Sequence, residues 1–172
     1  VAAMTLHSCT QDLPDADANA PREVSFNTSG NGLLKSEGDC SLDADYAVIQ
    51  IGGVVYNAAT FVVNDVLYTQ AIKLAPGQYT LEMFTLWNDN DTPGDESDDI
   101  MVSAAPHEGA PFADMVINPL DLVFDVQAFL KVEIEIGVLC YEESEHGEFG
   151  FVWFQPVKTH VKQKWVFGDF CT

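Results

Sequence analysis

The hydrophobic and polar pattern of the chain is organised around the stretch from Val66 to Val102. Two half-apolar runs, Val66 to Leu74 and Tyr79 to Trp87, flank Pro76-Gly77, and an acidic stretch then leads into Ile100-Met-Val. That order predicts paired antiparallel strands around a Pro-Gly turn, followed by one decorated loop. Further strands are expected at Glu23 to Thr28, Tyr46 to Ile51, Val54 to Tyr56 and Thr60 to Val63, with Gly52-Gly53 and Asn64-Asp65 as turns. Ile100 to Ala105, Leu122 to Phe129, Glu148 to Phe154 and Val157 to Phe167 continue the series. The strictest alternation sets Val132, Ile134, Ile136, Val138 and Cys140 against Lys131, Glu133 and Glu135, the mark of one strand with a single face in the core. Helical periodicity is nearly absent, and about nine or ten short strands are the number expected of an all-β, antiparallel two-sheet β-sandwich.

Composition sharpens this picture. The chain has 172 residues, 47% of them hydrophobic, enough for one self-sufficient core. Residues 1–22 contain an acidic, Asp-, Ala- and Pro-rich stretch with little to bury and read as an extended N-terminal arm, leaving 23–172 as the sandwich domain. The formal net charge is −20 with only seven Lys and Arg, so nucleic acid is repelled as a partner. No apolar run reaches the roughly eighteen residues that a membrane helix needs.

Candidate chemistry is sparse. The loop Asn88 to Asp99 alternates Asp and Asn around Gly94, and an irregular calcium site would draw on Asp89, Asp91, Asp95, Asp98 and Asp99. An EF-hand register fails there, because Pro93 and Ile100 occupy positions that need oxygen ligands. Against this stands a solvated hairpin tip, and no cofactor is required by anything in the chain. His7, His107, His146 and His160 lack metal-ligand spacing, and neither a nucleophile elbow nor a phosphate-binding glycine loop is present, so a non-enzymatic protein is expected. Trp87, Tyr141, Trp153 and Trp165 would suit a glycan platform as well as a core. Four cysteines without a CxxC pair allow three complete disulfide pairings, of which Cys140 with Cys171 is expected because both fall in the C-terminal strands. Lys158, His160, Lys162 and Lys164 lie on one face of the last strand. Such a face guards a sheet edge or docks on the acidic surface of a second copy, giving head-to-tail self-association.

Two stretches resemble known families. Leu6-His-Ser-Cys9, followed by polar acidic sequence, is similar to the lipobox of bacterial lipoprotein precursors, which implies lipidation of Cys9 and a membrane contact through that anchor alone. If Val1 is instead the mature start, Cys9 is a disulfide candidate. The run Ile72-Lys-Leu-Ala-Pro-Gly-Gln-Tyr-Thr-Leu-Glu-Met-Phe resembles the strand pair of prealbumin-like (transthyretin-like) sandwich modules. Together with Asn118-Pro-Leu-Asp-Leu, Val138-Leu-Cys-Tyr, Phe149-Gly-Phe-Val-Trp-Phe and Phe167-Gly-Asp-Phe-Cys, it is similar to uncharacterised surface lipoproteins of the Bacteroidota. The resemblance implies a cell-surface, outer-membrane-anchored or extracellular module and carries no activity. The function expected is structural or adhesive, as a subunit of a surface assembly or filament; the alternative is a calcium- or glycan-binding accessory module.

Overall fold

The computed structural model describes residues 17–28 and 40–152. Among them, β-branched and aromatic residues at alternate positions extend the backbone into ten strands of one open, mainly antiparallel sheet, with short 3-10 turns as the only helical segments. The strands are β1 (Arg22–Thr28), β2 (Tyr46–Ile51), β3 (Val54–Val63), β4 (Val66–Thr69) and β5 (Ile72–Leu74). They continue as β6 (Gly77–Asn88), β7 (Ile100–Ala104), β8 (Leu122–Val126), β9 (Val132–Glu135) and β10 (Leu139–Cys140). Their order is β10-β7-β6-β2-β3-β4-β1-β5, with β8 also bonded to β6 and β9 to β1. The β1–β9 pair is parallel.

Both two-residue turns expected from the sequence close hairpins. Gly52-Gly53 has φ of 55° and 78°, Asn64-Asp65 has φ of 52° and 61°, and this positive pair is what matches the right-handed twist of the flanking strands. The two apolar runs around Asn57 form one continuous strand. It pairs with β2 over Val54–Ala59 and with β4 over Thr60–Val63, so β3 hands the sheet from one neighbour to the next.

Three expectations change. The run Val66 to Leu74 breaks at Gln70-Ala71, and its second part, β5, bonds to β1 while β6 bonds to β2, β7 and β8. Pro76-Gly77 therefore redirects the chain between non-adjacent strands instead of closing a hairpin. The run Val132 to Cys140 is likewise two strands, β9 on β1 and β10 on β7. Its alternation survives as far as Ile136, since Ile134 and Ile136 are buried while Glu133 and Glu135 are exposed, but Val138 is only half-buried and Cys140, expected on the core face, is exposed. Gly137 marks the break: a Cβ there would lie 2.6 Å from both the Ile117 carbonyl oxygen and Val116 Cβ, and its own N–H donates to Ile117 O at 2.9 Å. Only a residue without a side chain passes so close. Finally, Glu148 to Gly150 is a turn, whereas the segment Val157 to Phe167 lies outside the described residues.

The core gathers side chains from strands distant in the sheet. Val24 and Phe26 of β1, Ile49 of β2, Leu67 of β4 and Leu81 and Phe84 of β6 are fully buried. The ring of Phe26 lies 5.6 Å from that of Phe84 and 6.5 Å, edge-on, from that of Phe124 on β8. Contacts of this kind add aromatic pairing to the burial of apolar area.

Candidate functional site

The acidic loop grows from the ends of β6 and β7. At its base Tyr46 of β2 stacks on Trp87 of β6, with ring centroids 6.4 Å apart, and donates its hydroxyl proton to Asp99. Partial burial, and then the Asp99 carboxylate, push the Tyr46 phenol well above its ordinary range. Asp89 accepts the backbone N–H of Asp91 at 3.1 Å, and its own N–H donates to Asp45 at 3.0 Å. Burial, and next the neighbouring Asp45 carboxylate, raise its pKa. Asp95 accepts from the N–H and hydroxyl of Ser97, while Asp98 accepts from Asn90 at 3.2 Å and from Thr92 at 2.9 Å.

Asp89, Asp95 and Asp98 are thus directed at the loop's own donors, and Asp99 at the Tyr46 hydroxyl. Among the described residues no group of three or more His, Cys, Asp or Glu side chains converges so as to hold a metal ion. Asp89, Asp91, Asp95, Asp98 and Asp99 belong to one loop without being gathered into a coordination set. The physical reason is local: Asn88, Asp89 and Asp95 each fold back on an N–H two residues ahead, the Asx-turn that these residues favour. Beside the loop's base an open cleft of about 400 Å³ is lined by Leu42, Asp43, Ala44, Asp45, Asn88, Ile100 and Val102.

The aromatic candidates are engaged within the chain. Trp87 donates its indole N–H to Thr85 at 2.9 Å, and Tyr141 packs against Phe149 at 5.5 Å and contacts His146 Nδ1 through its hydroxyl at 2.8 Å. His107 faces Asp121 at 3.1 Å. Trp153 and Trp165 fall outside the described residues, as do Cys9, Lys158, His160, Lys162 and Lys164.

A disulfide joins Cys40 to Cys140, spanning 100 positions of sequence. This corrects the expected pairing of Cys140 with Cys171. The 3-10 turn Cys40–Asp43 packs on β7 and β10, which carries Cys40 to Cys140, and sequence spacing gives no hint of that approach. In the chain-entropy account, closing so long a loop stabilises the fold by about 4–5 kcal/mol.

The feature that sequence reasoning missed is the exposure of β3. Phe61, Val62 and Val63 are 48%, 45% and 46% exposed, and Val54 and Val55 at the other end of the strand are also exposed. Phe61 stacks on Tyr68 across the hairpin at 5.8 Å. Apolar side chains therefore meet solvent on both faces of one strand, which the sequence could not signal, because a β-branched run without polar alternation reads as a strand buried on both faces.

Geometry thus defines an all-β module with an apolar hairpin, an acidic loop and a covalent staple. No protein-family model matches the chain, and no curated protein does. Among solved structures it is similar to a leucine-rich repeat protein from Bacteroides thetaiotaomicron, with a TM-score of 0.42 and 13% identity over 71% of this chain. The match spans 12% of that protein's length.

Proposed function

We propose that this chain is a non-enzymatic structural or adhesive module of a bacterial cell surface, working as a subunit of an assembly built from further copies of itself. The exposed strand β3 carries the reading, because an apolar strand open to water on both faces is the kind of surface that natural sheets cover or pair. Charge supports a second copy as the occupant. Among the described residues only Arg22, Lys73 and Lys131 are basic, against the many carboxylates of the same body, and Lys131 already pairs with Glu23. Lys158, His160, Lys162 and Lys164 supply the opposite sign within one short stretch of sequence, so heterologous, head-to-tail contacts between acidic body and basic segment are complementary.

The finer architecture proposed is a two-layer, prealbumin-like sandwich. Its support is the change of partner along β3 together with the Phe26–Phe84 contact, which brings β1 against β6 although they are not bonded neighbours. The Cys40–Cys140 disulfide favours an oxidising compartment, in keeping with a surface protein anchored through Cys9. Light scattering on the chain with Lys158, Lys162 and Lys164 all replaced by Glu tests the assembly. The wild-type protein forms large species as its concentration rises and the triple variant does not; equal scattering removes the electrostatic contact.

A further inference from the structure

The Cys40–Cys140 disulfide has two unlike ends. Cys140 lies exposed on the two-residue strand β10, whereas Cys40 is half-buried and its Sγ lies 3.1 Å from Oγ of the fully buried Ser103. A disulfide sulfur carries no proton, so the Ser103 hydroxyl is the donor. Its acceptor is a weak one, and the bond strengthens when that acceptor becomes an anion.

We propose that Cys40–Cys140 is a directional thiol–disulfide exchange site, attacked at Cys140 Sγ by a cationic thiol, with Cys40 leaving as a thiolate held by the Ser103 hydroxyl. The incoming thiolate uses its electron pair to form a new S–S bond with Cys140. The pair of the old bond passes to Cys40 Sγ, which keeps the Ser103 hydrogen bond until it takes a proton from water. One disulfide is exchanged for another, so no oxidant or reductant is consumed. Direction follows from access at Cys140 and from stabilisation of the leaving group at Cys40.

Reagent choice follows from charge. The chain carries −20 overall, and Glu142 and Glu143 follow directly behind the attacked residue and its neighbour Tyr141. An anionic thiol is repelled from this surface and a cationic one is drawn to it. Exchange also removes the constraint on the 3-10 turn Cys40–Asp43, leaving β10 held to β7 by the Leu139–Ala104 and Cys140–Ser103 pairs.

The test treats the full chain briefly with cysteamine, alkylates free thiols with iodoacetamide and maps the adducts by mass spectrometry. Cysteamine is expected on Cys140 and the alkyl group on Cys40, with glutathione reacting more slowly than cysteamine. Ser103→Ala slows the exchange by about fivefold through the lost charge-assisted hydrogen bond, while Ser103→Thr, which keeps the hydroxyl, reacts close to the wild-type rate. An adduct on Cys40, an even split between the two cysteines, or an unchanged rate in Ser103→Ala overturns the proposal. Should Ser103→Ala fail to fold, the adduct map of the wild-type protein decides alone.

Discussion

β2 and β3 are bonded neighbours of similar apolar character, yet they meet opposite fates. In β2 every second residue, Ala47, Ile49 and Ile51, is buried, while in β3 only Ala58 is, and valines at both ends face water. Their sequences do not explain this, since Val54-Val-Tyr and Phe61-Val-Val are at least as hydrophobic as Tyr46-Ala-Val-Ile. Position in the sheet does. β2 is flanked along its length by β3 and β6, whereas β3 changes partner halfway. Burial is thus set by which neighbours the topology supplies, and topology leaves β3 uncovered.

Substitutions can break this comparison. The largest effect is expected from Ile49→Ala on β2, which empties a fully buried site and costs about 2–5 kcal/mol, read as a lower denaturation midpoint. On β3, Val62→Ala costs about 1 kcal/mol or less, because the methyl groups removed already touch water. Similar losses at the two positions would mean that β3 is as buried as β2.

A smaller effect separates the strands by pH. The neutral Tyr46 phenol is favoured by the fold, so its contribution is complete below the ordinary tyrosine range and declines as pH rises through the raised value. Near-ultraviolet titration should find late-ionising tyrosines, Tyr46 and also Tyr141, whose phenol is raised by its own burial and then by Glu143. Asp99→Asn should shift Tyr46 downward, because the second cause of its rise is this carboxylate's hydrogen bond.

The same contrast explains what the sequence could disclose. β1, β2, β6 and β7 were legible because each has apolar residues at alternate positions and a turn at its end. Pro76-Gly77 announced a change of direction but not the partner on the far side, since β5 finds its neighbour in β1, about fifty residues earlier in the chain. Residues 132 to 136 kept period-two burial, which ends at the break before the exposed Cys140, and Gly137, whose missing side chain permits the passage, was the one local sign. The Asp and Asn spacing of the acidic loop described its Asx turns as readily as a cation cage, for both need side-chain oxygens at short intervals. The disulfide partner was not legible, as it depends on packing between elements 100 positions apart.

The central claim is that the exposed apolar side chains of β3 form a contact surface and contribute little to the stability of the single chain. Sedimentation velocity over a range of concentrations, comparing the wild-type chain with the double variant Phe61→Ser, Val63→Ser, tests it most directly. The account predicts growing species for the wild-type chain and a monomer at every concentration for the variant; identical sedimentation of the two would contradict it.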